Sequence, residues 1–139
     1  MNVDSIQNGI VIDHLKAGYG MRLYELLGLS DPELTVAIMK NVTSHKLGRK
    51  DIIKIDGITD VDLDVIGFVD PDATVNIIRD GRLIEKKSIE APERLTNVLR
   101  CKNPRCISTT EQELPQIFVL SDRKTKTYRC LYCETRAEK

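Results

Sequence analysis

All four cysteines lie in two short motifs, Cys101-Lys102-Asn103-Pro104-Arg105-Cys106 and Cys130-Leu131-Tyr132-Cys133, and these motifs decide the fold of the C-terminal part of the chain. Zinc binds four thiolate or imidazole ligands tetrahedrally, and a tight turn presents two sulfurs from a short spacing. Asn103-Pro104 supplies turn residues inside the first motif. The pattern therefore predicts one closed, structural Zn²⁺ site with the ligands Cys101, Cys106, Cys130 and Cys133.

Two disulfides are the alternative use of the same four cysteines. Residues Met1 to Ser5 do not show the basic start and apolar core of a secretory signal, so we expect a cytoplasmic chain with reduced thiols. Paired cysteine motifs in that compartment favour metal over disulfides.

Composition excludes a membrane span and leaves a nucleic-acid partner weakly supported. The 139 residues carry 21 basic and 21 acidic side chains, and no apolar run approaches the ~20 residues needed to cross a bilayer. The part after Pro92 is mildly basic, but aromatic residues make up only 4% of the chain, which gives bases little to stack on. A zinc-ribbon nucleic-acid-binding protein therefore stays as the alternative function.

The N-terminal part alternates between strand and helix patterns. Apolar strand-like runs and helical spacing alternate up to Ser88, and Asp80-Gly81 is a two-residue hairpin signal. The predicted strands cover 9–15, 35–42, 49–56, 73–79 and 82–88, with helices around 23–27 and 61–69. The order β-α-β-β-α-β plus a hairpin strand predicts an α+β, ferredoxin-like domain over residues 1–92. A small β-rich zinc domain over 93–139 follows, with a connector at Leu95 to Leu99 and strands at 117–120 and 127–129.

Several polar residues occupy strand positions of the first domain. Lys50 and Lys54 point to one side of a strand, about 13 Å apart at ~3.3 Å per residue. With Asp13, His14 and further polar residues they could hold a nucleotide, although a solvated sheet face is the simpler interpretation of the pattern alone. The sequence has no nucleophile placed beside a base and no glycine-rich phosphate loop, so a small ferredoxin-like enzyme is a weaker alternative.

Several motifs in one order resemble the regulatory chain of aspartate carbamoyltransferase over nearly the whole sequence. They are Val11-Ile12-Asp13-His14, Gly48 to Ile55 (GRKDIIKI), Ala73-Thr74-Val75-Asn76, Pro92-Glu93-Arg94 with Asn97-Val98-Leu99, and the Cys-x4-Cys and Cys-x2-Cys spacing.

The resemblance implies a non-catalytic subunit that dimerises through its N-terminal domain and docks its zinc domain on catalytic chains. Two catalytic trimers would be bridged by three regulatory dimers. CTP and UTP would inhibit, and ATP would activate, the first committed step of pyrimidine biosynthesis.

The resemblance also implies which residues form each site. The expected nucleotide-binding residues are Val3, Asp4, Ile6, Val11, Asp13, His14, Lys50, Lys54, Asn76, Leu83 and Lys86. The expected contacts with the catalytic chain are Asn103, Tyr132 and Glu134. This sequence departs from the familiar pattern at Gly81, where that pattern has an aromatic residue beside the base, and at Arg105, which replaces a polar amide.

Overall fold

The structure, a computed structural model, describes residues 6–58 and 60–138. The chain divides into two compact units, Met1–Glu90 and Ala91–Lys139. The elements of the first unit are β1 (Gly9–Lys16), α1 (Gly20–Leu26), β2 (Thr35–Ser44), β3 (Gly48–Asp56), α2 (Leu63–Val69), β4 (Thr74–Arg79) and β5 (Arg82–Ser88). Those of the second are β6 (Arg94–Thr96), α3 (Ile107–Thr110), β7 (Ile117–Asp122) and β8 (Thr127–Cys130).

The first unit contains a five-stranded sheet in the order β2-β3-β1-β4-β5, in which all neighbours are antiparallel. The element order confirms the predicted α+β fold with a ferredoxin-like pattern and an added hairpin strand at one edge. Asp80 and Gly81 both have positive φ, 52° and 75°, as a two-residue hairpin turn requires.

Side chains alternate in direction along the central strands, so the sheet has one buried face and one open face. Ile12, Ile53 and Val75 are at most 1% exposed, and both helices adjoin this face. The helices contribute Leu23 from α1 and Phe68 from α2, both fully buried. Residues of opposite parity therefore lie on the other face of the sheet, and they include the predicted site residues Val11, Asp13, Lys50, Lys54 and Asn76.

Asp51 is a buried carboxylate that organises three backbone segments. It lies on the core face of β3 and is 0% exposed. Its Oδ2 accepts hydrogen bonds from the backbone N–H groups of Gly18 and Gly20, at 3.1 and 2.9 Å, and its Oδ1 accepts from that of Asn41 at 2.9 Å. The same side chain thus fixes the turn before α1 and the bulge in β2. A Cβ at Gly20 would lie 2.9 Å from the Asp51 carboxylate, so this turn requires glycine.

The second unit is a three-stranded sheet, β6-β7-β8, around a small core. Leu95, Phe118 and Tyr128 are 1–2% exposed, and the Tyr128 hydroxyl donates to the carbonyl of Pro92 at 2.5 Å.

The structure differs from the sequence-based predictions in three places. Leu95 belongs to strand β6 rather than to a connector, because Arg94–Thr96 pairs with β7. The four-residue helix α3 was not predicted. Strand β2 continues through Thr43 and Ser44, two residues beyond the predicted end at 42, since the bulge at Asn41 restores pairing with β3.

We predict that Asp51→Asn lowers the free energy of unfolding by about 3 kcal/mol, because an amide cannot accept from three backbone donors and turns its own N–H groups towards one of them. Urea denaturation measures the loss. Asp56→Asn, at the exposed end of the same strand, serves as the control and should change stability by less than about 0.5 kcal/mol. Equal stabilities of the two variants would contradict the structural role of Asp51.

Candidate functional site

The four cysteine sulfurs converge in the second unit. All four Sγ atoms lie within 4.8 Å of one another, with 3.5 Å between Cys101 and Cys133 and 3.7 Å between Cys106 and Cys130. Tetrahedral zinc with Zn–S bonds of about 2.3 Å places its sulfurs about 3.8 Å apart, whereas a disulfide needs about 2.05 Å. The cysteines are not disulfide-bonded, and the donor set fits one structural zinc ion.

Local turns hold each pair of cysteines. In the first motif, Asn103 accepts at its side chain from the N–H of Arg105, at 3.0 Å, and at its carbonyl from the N–H of Cys106, at 3.1 Å. In the second motif, Glu134 has φ 65° and donates to the carbonyl of Cys130 at 2.9 Å. Each motif therefore closes into a compact turn.

The environment of the thiols is asymmetric. The hydroxyl of Thr135 lies 3.2 Å from the sulfur of Cys133 and lowers the pKa of that thiol to about 6. Burial raises the pKa of Cys101 to about 12. Because zinc binds cysteine as the thiolate, we expect metal binding to release protons into solution.

The open face of the five-stranded sheet carries a cavity of about 310 Å³. It is lined by Val11, Asp13, Met39, Ile52, Lys54, Asn76, Ile78 and Leu83. Five of the residues proposed for nucleotide binding from the sequence thus lie together. Sequence reasoning did not select Met39, Ile52 and Ile78, although the two-residue period from Lys54 and Asn76 places Ile52 and Ile78 on the same face.

A β-bulge brings Asp13 and His14 to the open face together. Between Ile12 and Leu15, β1 contains one more residue than β3, and His14 has φ 59°. The ring Nδ1 of His14 lies 3.0 Å from the hydroxyl of Thr74, whose position in β4 has the open-face parity. The bulge explains how two adjacent strand residues can both avoid the core while Ile12 and Leu15 on either side remain buried.

Charge on this face is concentrated around Asp13. Its Oδ1 lies 3.0 Å from the ammonium of Lys50, and the two side chains are only 21% and 17% exposed. Lys86 is exposed and lies opposite Asn76 in the pairing of β4 with β5. The Oδ1 of Asn76 is buried without a hydrogen-bond partner among residues 6–58 and 60–138.

The remaining predicted residues are distributed as follows. Ile6 is buried beside Gly9 and does not line the cavity, while Val3 and Asp4 lie outside the described residues. Tyr132 donates its hydroxyl to the carbonyl of Pro115 at 2.9 Å. Glu134 is exposed.

Two units thus define a class of protein: a small α+β sheet with a pocket of apolar and polar side chains on its open face, and a separate unit closed by four cysteines. The described part of the chain has no helix able to cross a bilayer. The family model "aspartate carbamoyltransferase regulatory chain, allosteric domain" matches residues 1–90, and the corresponding metal binding domain matches residues 93–139.

Relatives named aspartate carbamoyltransferase regulatory chain match along nearly the whole chain. The Clostridium botulinum Hall protein is 45% identical over 134 residues, 96% of this chain and 92% of its own. The Clostridium tetani protein is 46% identical over 135 residues, 96% and 94% of the two chains. The Bifidobacterium longum protein is 44% identical over 138 residues, 99% of each.

The chain belongs to the family of aspartate carbamoyltransferase regulatory chains and is a non-catalytic subunit with an allosteric and a metal-binding domain. This confirms the family resemblance and the predicted structural zinc site. The alternative of a zinc-ribbon nucleic-acid-binding protein is not favoured.

Proposed function

We propose that residues 1–92 bind nucleoside triphosphates and that residues 93–139 transmit their effect to a catalytic chain. CTP and UTP inhibit and ATP activates the assembled cytoplasmic enzyme at the first committed step of de novo pyrimidine biosynthesis. The open-face cavity carries the proposal, because it combines apolar walls, a carboxylate, nearby cations and a buried carbonyl oxygen that needs a donor.

The cavity has separate surfaces for the parts of a nucleotide. Its volume of about 310 Å³ is at the lower end of small-molecule pockets, which start at about 300 Å³. The apolar side chains of Val11, Ile78 and Leu83 suit the flat faces of a base. The orphaned Oδ1 of Asn76 suits an N–H or O–H donor of the ligand, since an unsatisfied buried acceptor costs about 1–3 kcal/mol.

The ion pair of Asp13 and Lys50 prepares a ribose contact. Lys50 and the backbone N–H of His14, at 2.6 Å, both bind Oδ1 of Asp13. We propose that Oδ2 of the same carboxylate accepts from a ribose hydroxyl. The cationic groups of Lys54 and Lys86 then suit the phosphates, because hydrogen bonds between ionised groups are the stronger kind.

Exposed apolar side chains beside the metal ligands support docking by the second unit. Ile107 and Leu131 follow Cys106 and Cys130 directly and are 52% and 45% exposed. Together with Asn103, Tyr132 and Glu134 they form a surface, here called the knuckle surface, suited to a partner protein. We propose that this surface binds the catalytic chain, and that dimers formed by the N-terminal units bridge two catalytic trimers.

Regulation then requires that a bound nucleotide favours one quaternary state of this assembly over another. A ligand can shift such an equilibrium only by its difference in affinity for the two states. We propose that the rigid metal-bound unit carries this difference to the catalytic chains.

We predict that Lys86→Ala weakens CTP binding about tenfold, the equivalent of about 1.4 kcal/mol, through loss of a phosphate contact. Lys87→Ala is the matched control. Lys87 is the next residue of β5, and it pairs with Val75 and lies on the core side of the sheet near Ile77. Isothermal titration calorimetry with CTP and with cytidine checks the prediction, because only the triphosphate should respond. A similar loss for both variants, or for cytidine, would contradict the assigned pocket.

We predict that the chain co-expressed with a catalytic chain forms an assembly with the mass of two catalytic trimers and three regulatory dimers. Carbamoyl transfer by this assembly should fall with CTP or UTP and rise with ATP.

Ile107→Glu and Leu131→Glu should prevent assembly while the zinc content stays at one ion per chain. Leu47→Glu, a partly exposed apolar site in the first unit, is the control. Native mass spectrometry measures the assembly formed by each variant. Normal assembly of both knuckle-surface variants would refute the docking site.

A further inference from the structure

Gln116, immediately before β7, connects the two ends of the first cysteine motif. Its side-chain carbonyl accepts from the backbone N–H of Cys101 at 2.9 Å. Its side-chain amide donates to the carbonyl of Ser108 at 2.7 Å. The reversed amide would place N–H against N–H and carbonyl against carbonyl, so these two partners assign its orientation. One side chain therefore fixes Cys101 relative to the residues that follow Cys106.

The backbone of Gln116 is itself held in place. Its N–H donates to the side-chain carbonyl of Asn97 at 2.9 Å, and its carbonyl accepts from the N–H of Asn97 at 2.7 Å. The neighbouring residues Thr96 and Ile117 pair in the β6-β7 ladder. The side chain of Gln116 thus projects from a fixed point of the sheet.

A hydroxyl extends this network to a ligand sulfur. The Ser108 hydroxyl lies 3.0 Å from the sulfur of Cys106 and 3.5 Å from the side-chain oxygen of Gln116. Ser108 is only 4% exposed, so its position is fixed by these neighbours. Gln116 and Ser108 together contact the backbone of Cys101 and the thiol of Cys106.

The second motif is held differently. Cys130 is the last residue of β8, its N–H donates to the carbonyl of Thr135 at 2.9 Å, and the N–H of Leu131 donates to the carbonyl of Ile117 at 2.9 Å. Backbone hydrogen bonds therefore anchor Cys130, whereas the backbone N–H of Cys101 is bound by a side chain from outside its motif.

We infer that Gln116 is a positioning residue of the metal centre, which sets the separation of Cys101 and Cys106 before zinc binds. Side chains that orient metal ligands change metal affinity about 10–100-fold when they are removed. Loss of the Gln116 contacts leaves the first pair of thiolates free to move apart, and this pair then releases the metal first.

The test compares zinc release from the full chain and from Gln116→Leu, Gln116→Glu and Gln112→Leu. A chromophoric chelator that binds zinc reports the rate. We expect Gln116→Leu to release zinc about tenfold faster than the unmodified chain. Gln116→Glu retains the acceptor for Cys101 but loses the donor for Ser108, so its rate should be intermediate. Gln112 is exposed in the same segment, and Gln112→Leu should leave the rate unchanged.

The Co²⁺-substituted chain separates positioning from general destabilisation. The visible d–d bands of Co²⁺ report ligand geometry, and we expect them to shift in Gln116→Leu and not in Gln112→Leu. Unchanged bands and an unchanged release rate in Gln116→Leu would overturn the inference, as would equal acceleration in Gln112→Leu. If Gln116→Leu does not fold, the Gln116→Glu variant provides the test. Zinc release from that variant at the rate of the unmodified chain would refute the positioning role of Gln116.

Discussion

The metal–thiolate clamp is the constraint on which the second unit depends. That unit has three short strands, a four-residue helix and a core built around Leu95, Phe118 and Tyr128, which is little apolar surface for independent folding. Four sulfurs within 4.8 Å of one another supply the missing cross-link, because zinc binding energy becomes folding energy in such units. We therefore expect the exposed Ile107 and Leu131 to keep their positions only while the metal holds the adjacent turns.

The first unit solves a different problem, since its core is complete without a metal. Both helices adjoin one face of the sheet, and Asp51 ties the turn before α1 and the bulge of β2 to β3 from inside that core. The other face can therefore carry polar groups without destabilising the fold. The bulge at His14 adds to this freedom, because it turns two consecutive residues of β1 away from the core. The proposed nucleotide site and the proposed docking surface thus belong to units whose stability has separate sources.

Much of this organisation could be predicted from local sequence patterns. The cysteine spacing predicted the metal centre, Asp80-Gly81 predicted the hairpin turn, and alternation about Lys54 predicted the open face. Features that depend on distant contacts could not be predicted in the same way. In the sequence, Asp51 cannot be distinguished from a solvent-exposed polar strand residue. Its role depends on hydrogen bonds from the N–H groups of Gly18 and Gly20, which are distant in the chain. Strand β6 exists because Arg94–Thr96 meets β7, and Gln116 acquires its role only when β7 passes beside the first cysteine motif. Five of the eight pocket residues follow from the family resemblance, and their roles as nucleotide contacts stay predictions.

The most direct test of the central claim is the native mass of the co-expressed assembly before and after complete zinc removal, measured together with CTP binding to the chain that is set free. We predict that chelation detaches this chain from the catalytic chains and unfolds strands β6 to β8, while the first unit continues to bind CTP. An assembly that keeps its mass with no zinc bound, or with the four cysteines oxidised to disulfides, would contradict the account.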